Sequence, residues 1–192
     1  MIAGMTPSKS ALIMGVTGGS GSGKSYLTGL LSGPTAHIVD MDKVGHLVLE
    51  GSARKPIMKA FGLDILDRTA DTLSRAPIDR KKLGAVVFAD PTQLAKLNAI
   101  VHPLVCQAVY LQILEHLYTC QLIVLDGALL FDVGLHHVCD VTVLVLADQS
   151  VRVQRIMARD AISETQALNR LNSQRDYEQL IDQATVVVYN NG

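Results

Sequence analysis

An α/β fold, a doubly wound parallel sheet with a helical insertion and a helical lid, is what this sequence predicts. Three observations carry it. Short aliphatic runs recur at residues 11–17, 122–125 and 141–147, and strands buried on both faces of a parallel sheet read this way. Between those runs the apolar spacing turns helical, so strands alternate with helices. Hydrophobic residues make up 48% of the 192 positions but aromatics only 4%, with no tryptophan, which describes an aliphatic core.

Taken in order, residues 11–17 (ALIMGVT) form the first strand, which ends in a glycine cluster, and residues 25–31 form a helix. The second strand is 37–42 (HIVDMD), ending in carboxylates. Helical pieces follow at 43–50, 56–61, 80–88 and 91–100, with turns near 64–71 and 76–77. His102-Pro103 opens the next helix, since proline suits a first turn, and that helix runs to about residue 116. Strands are expected at 122–126, 141–146 and 186–189. Helices are expected at 150–159 and from Ser163 into Gln174, where Ser163-Glu164-Thr165-Gln166 makes a capping box. The helix-rich stretch after the second strand is an insertion over the carboxyl edge of the sheet, the edge where such folds bind ligands.

Composition excludes several classes. With 17 basic and 18 acidic side chains the net charge is -1, which argues against both disorder and a broad nucleic-acid face. The aliphatic runs are far shorter than the roughly 20 residues that span a bilayer, so no membrane segment is expected. Cys106, Cys120 and Cys139 are widely spaced and read as buried, inert thiols rather than a disulfide or zinc set. Residues 1–9 are a short polar lead-in without a basic segment and long apolar run, so no secretory signal is expected and the cytoplasm is the default compartment.

The sharpest signal is Gly18-Gly19-Ser20-Gly21-Ser22-Gly23-Lys24-Ser25, which fits G-x-x-x-x-G-K-[ST] between a strand and a helix. The glycines let the backbone turn tightly and bring N–H groups close to a phosphate. Those amides meet the anion at a helix N-terminus, where the helix dipole is positive. Lys24 adds a full charge toward the β- and γ-phosphates, and Ser25 offers an oxygen to Mg²⁺. The motif points to a nucleoside triphosphate and says little about a second substrate.

Three carboxylates accompany it. Asp40 and Asp42, two apart on a strand, would project to one face near the γ-phosphate. A carboxylate there accepts or orients the proton of an attacking hydroxyl; the alternative for Asp42 is capping the next helix. Asp126 closes an apolar run as a Walker-B carboxylate does, and would hold Mg²⁺ directly or through water. Arg152, Arg155 and Arg159 share one helical face, and Arg170 with Gln174 makes a second pair. Arginine suits phosphate recognition, so Arg155 and Arg159 are read as lid residues and Arg152 as surface. His102 is open between a substrate contact and a packing or capping role. His136-His137 reads as surface. Phe61, Phe88 and Phe131 read as core, with a pocket role for Phe88 as the alternative.

Several segments together resemble the dephospho-coenzyme A kinase family. They are residues 17–25 (TGGSGSGKS), 39–46 (VDMDKVGH), Phe61-Gly62, 78–83 (IDRKKL), Val87-Phe88, 100–103 (IVHP), Asp126 with 129–132 (LLFD), Arg155 with Arg159, Arg170 with Ser173-Gln174, and 184–192 (ATVVVYNNG). The loop is generic, whereas the Asp-x-Asp element, the His-Pro pair, Leu-Leu-Phe and the Arg…Gln segment are more specific. Ala128 and Asp132 stand where the family usually has proline and glutamate, and the family usually continues with a helix after Gly192.

The resemblance implies a single P-loop kinase domain over 1–192, with a three-layer α/β/α core at 11–43, 117–149 and 175–192. It implies a CoA-binding insertion at 44–116 and a lid at 150–174. The implied reaction is phosphorylation of the ribose 3′-hydroxyl of dephospho-CoA by ATP with Mg²⁺, the last step of coenzyme A synthesis. Lys24, Asp42 and Arg155 would be catalytic. Gly19, Gly21, Ser22, Gly23, Lys24, Ser25, Tyr26 and Arg159 would hold ATP. Asp40, Asp42, Phe88, His102 and Leu129 would hold the acceptor, and Ser25 and Asp126 the metal. No nucleic-acid or membrane partner is implied, and a monomer or weak homo-oligomer is expected. The alternatives are a kinase of another small molecule, such as a nucleoside or nucleotide, and a silent nucleotide-binding module.

Overall fold

Five aliphatic segments form the sheet, the inner ones burying apolar side chains on both faces and the last in the chain lying half-exposed at one edge. They are β1 (Leu12–Thr17), β2 (Ala36–Asp40), β3 (Leu122–Asp126), β4 (Val141–Leu146) and β5 (Val186–Tyr189). All pairings are parallel, in the order β2-β3-β1-β4-β5. The structure is a computed structural model and describes residues 10–67 and 76–192. The polar lead-in expected over 1–9, and the second half (68–71) of the turn expected over 64–71, lie outside the described residues.

The chain divides into two compact units, Met1–Met41 with Gln112–Gly192, and Asp42–Leu111. In the first, Val16, Val124, Val143 and Val145 form a buried cluster. Leu27 and Leu31 of α1 (Lys24–Leu31) pack against it. The register sets Asp126 opposite Val16 on one side and Asp40 on the other, so two carboxylates end neighbouring strands at the edge from which the glycine loop leaves β1.

The second unit contains the stretch that the sequence reads as an insertion. It includes α2 (Met41–Glu50) from Asp42 onward, α3 (Arg54–Phe61), α4 (Arg80–Ala89) and most of α5 (Pro91–His116). Its core includes Val44, Val48, Ile57, Leu83, Val87 and Val105. Asp79 caps α4 by accepting from the amides of Lys81 and Lys82. Lys82 donates to the Leu66 carbonyl at 2.8 Å, and Arg54 to the Ala76 carbonyl at 2.6 Å.

The second unit brings three corrections. β2 ends at Asp40 and the helix begins at Met41, so Asp42 is not two apart from Asp40 on one strand. It stands in the first turn of α2, where the helix dipole favours a carboxylate. His102-Pro103 opens no helix: α5 runs unbroken through Pro103. The proline forfeits one backbone bond, a cost of roughly 3 kcal/mol that a long apolar helix can absorb. Phe88 is not core, being 79% exposed. Phe61 carries the Lys96 ammonium over its ring at 5.2 Å.

Helix α5 also qualifies the expectation about membranes. Its 26 residues are long and apolar enough to cross a bilayer by length and composition. Local sequence rules divide this helix at Pro103, which hides its full length.

Candidate active site

The loop between β1 and α1 ends at Gly23, whose φ of 96° lies in the left-handed region. A side chain there would be strained and would also strike the Asn190 carboxamide. Gly21, at φ 76°, lies so close to α6 (Gln149–Asp160) that a Cβ would sit 2.7 Å from the Arg152 carbonyl oxygen. The loop is thus laid flat on its neighbours, with the Ser20 amide held by Gln174 Oε1 and the Ser22 amide by the Gly19 carbonyl. No side chain caps α1, and no acidic residue stands in its first turn. Backbone bonds to the Gly23 carbonyl take up the amides of Tyr26 and Leu27, so the donors that side-chain capping would otherwise satisfy are those at the very start of the helix. Ser22 Oγ is buried with no hydrogen-bond partner. An orphaned hydroxyl beside an uncapped helix end fits a phosphate group.

Lys24 Nζ pairs with Asp126 Oδ1, and Thr28 Oγ1 donates to Asp126 Oδ2 at 3.0 Å. Asp126 is therefore oriented from two positions on one face of α1. Ser25 is exposed on that helix. Lys24, Ser25, Gly21, Gly23, Arg155 and Arg159 line one cavity of about 200 Å³. These are the loop and lid residues that the sequence singled out.

The arginines divide differently from expectation. Arg155 donates to the carbonyls of Gly21 at 3.2 Å and Asn190 at 3.0 Å. Arg159 forms a two-pronged pair with Asp160 at 2.8 and 2.9 Å, and Arg170 joins the same carboxylate. The Asp160 partnership raises the Arg159 pKa, and Arg159 lowers that of Asp160. Arg152, read as surface, is instead half-buried against the loop: its Nε donates to the Ser20 carbonyl at 2.9 Å. Helical spacing told which arginines share a face but not which of them meets the loop.

Around these residues, α6 and α7 (Glu164–Asn172) pack through Val153, Ile156, Ala167 and Leu171. The expected capping box is present, with Ser163 and Gln166 each bonding the other's backbone. Tyr26 and Leu129 are exposed. Asp132 pairs with Arg175 at 2.5 Å, which fixes the segment after Leu129-Leu130-Phe131. Asp42, Phe88 and His102 belong to the second unit.

Other side chains depart from expectation. His136 is not plain surface; it stacks on Phe131 at 4.5 Å, and burial followed by the neighbouring His137 lowers its pKa. The cysteines are half-buried rather than buried. Burial pushes the Cys139 thiol up to about 12, with Asp140 adding to it, and an inert thiol follows. The sequence reading missed Thr28 and assigned no role to Asn190. Thr28 stands four residues after Lys24, a spacing that puts the two on one helical face. Asn190 gave no comparable local signal, because its contact, 2.9 Å to the Ser22 carbonyl, spans the length of the chain.

A parallel sheet that delivers a glycine loop to an uncapped helix, with a lysine–aspartate pair beneath it and arginines above, defines a P-loop kinase. Comparison with known proteins narrows the class. The dephospho-CoA kinase family model matches residues 12–192, and the chain belongs to that family. It is 36% identical to a dephospho-CoA kinase of Fusobacterium nucleatum, over 95% of this chain and 91% of that protein. It is 34% identical to one of rice, Oryza sativa, over 94% of this chain and 77% of that one. Among solved structures, TT1252 of Thermus thermophilus superposes with a TM-score of 0.77 at 31% identity, covering 95% of this chain and 90% of the other. A dephospho-CoA kinase of Campylobacter jejuni superposes at 0.64 and 26% identity, covering 94% and 88%.

Proposed function

We propose that this protein transfers the γ-phosphoryl group of ATP to the ribose 3′-hydroxyl of dephospho-CoA, giving coenzyme A and ADP. The observation that carries this reading is the family match over residues 12–192. The cavity uniting Lys24, Ser25, Arg155 and Arg159 at the uncapped end of α1 supports it.

The loop amides, with Gly19, Gly21, Ser22 and Gly23, hold the phosphates, and Tyr26 and Arg159 border them. Lys24 moves from Asp126 onto the transferred phosphoryl group, where Arg155 shares the neutralisation of charge. Ser25 and Asp126 are the groups that would hold Mg²⁺, which when bound neutralises charge between the β- and γ-phosphates. Asp42 orients the 3′-hydroxyl or takes its proton; a loose transition state asks little of it as a base. Asp40, Phe88, His102 and Leu129 are acceptor-binding residues, and residues 44–116 are the CoA-binding insertion. Residues 150–174 act as a lid that excludes water, which would otherwise hydrolyse ATP. The enzyme works in the cytoplasm as a monomer or weak homo-oligomer, with no nucleic-acid or membrane partner.

The test is ADP release with ATP and Mg²⁺ across dephospho-CoA, nucleosides and nucleotides, with the product's phosphate position read by phosphorus NMR. Stimulation by dephospho-CoA alone, with a 3′-phosphate in the product, is expected; stimulation by another acceptor instead would refute the reading. Asp42→Asn is expected to lower kcat about 10²-fold or more while ATP affinity is kept. An unchanged kcat would remove Asp42 from its role.

A further inference from the structure

Ser20, at the tip of the phosphate loop, has every polar group engaged from outside the loop. Its N–H donates to Gln174 Oε1 at 3.0 Å. Its hydroxyl accepts from Gln174 Nε2 at 2.6 Å. Its carbonyl accepts from Arg152 Nε at 2.9 Å. Arg152 Nη2 then donates to Gln174 Oε1 at 3.2 Å, closing the ring of contacts. Both groups at Oε1 are donors, which fixes the orientation of the carboxamide.

Three features mark this as more than surface packing. Gln174 follows α7 and Arg152 lies on α6, so two separate elements converge on one loop residue. The guanidinium is half-buried, and its acceptors here are neutral oxygens. Burying a cation against neutral partners costs free energy, and burial lowers its pKa. An anion bound in the loop would recover that cost. A Cβ on Gly19 would collide with Arg152 Nη2, so the loop backbone lies directly on the guanidinium.

We propose that Arg152 is a positioning residue for ATP: with Gln174 it clamps the Ser20 peptide, and so holds the loop amides in their phosphate-binding arrangement before ATP arrives. The clamp acts through the loop. Preorganised donors bind better than donors that must first be ordered.

The proposal rests on reading the loop as the ATP site, and its test measures ATP binding alone, by calorimetry with Mg²⁺ and no acceptor present. A failure with dephospho-CoA would therefore leave it standing. Arg152→Ala is expected to weaken ATP about tenfold, the scale of a lost charged hydrogen bond. In turnover assays KM for ATP should rise more than kcat falls, and the urea midpoint should stay near that of the parent. Arg152→Lys should recover only part of the affinity, because an ammonium cannot reproduce the two-pronged geometry. Ser20→Ala, a milder change, should weaken ATP about threefold. Combining it with Gln174→Ala should add little to Gln174→Ala alone. Unchanged ATP affinity in Arg152→Ala and Ser20→Ala, or a loss that tracks only the folded fraction, would overturn the clamp.

Discussion

Two helices in the first unit begin in opposite ways. At α7, Ser163 accepts from the Gln166 amide, Gln166 reaches back to the Ser163 backbone, and Glu164 stands in the first turn. At α1, Gly23 takes the cap position in a left-handed conformation, without a side-chain bond or an acidic residue in the first turn. The first end satisfies its own donors, so it needs nothing from outside. The second withholds both a capping oxygen and a negative charge, and keeps its electrostatic demand for a ligand. A helix end is read for function by what it declines to satisfy.

That contrast can be broken by experiment. The largest effect belongs to Lys24→Ala, which removes the full charge from the open end. Turnover is expected to fall about 10²- to 10³-fold; near-parental turnover would show that the open end is not the reacting one. Next comes Gly23→Ala, which forces a side chain into the left-handed region against Asn190. A loss of about 1–3 kcal/mol in urea unfolding is expected, together with weakened ATP binding. If only stability moved, the bare cap would be serving the fold rather than the ligand. The smallest is Ser163→Ala at the satisfied end, expected to cost about 1 kcal/mol of stability. Should it weaken ATP more than Gly23→Ala does, the distinction between the two ends fails.

The elements most legible in the sequence are those whose cause is local. β3, β4 and β5 are short aliphatic runs whose composition alone marks them as strands. The capping box of α7 and the glycine loop declare themselves within eight residues. What was not legible depends on longer-range balance or on direction. Pro103 marks a boundary by local rules, yet the apolar length of α5 outweighs one lost hydrogen bond. Asp42 lies beyond the turn from strand to helix, and an alternating pattern does not show where that turn falls. Arg152 and Arg155 reach the loop because α6 packs beside it, and helical spacing alone does not choose the face that does so. Asn190 meets Ser22 only once β5 has taken its place at the end of the sheet.

The strand order also governs when this protein can be assembled. β1 and β2 follow one another in the chain but do not pair. β1 lies between β3 and β4, with Leu12 opposite Leu122, 110 residues further on, and β2 pairs with β3 alone. During synthesis the first two strands therefore leave the ribosome with unpaired edges and must wait until the middle of the chain has been made. Such distant closure slows folding, and it leaves aliphatic strands open to association with other chains in the meantime. The same central strand that presents the phosphate loop in the finished enzyme is thus the segment most dependent on prompt completion of its chain.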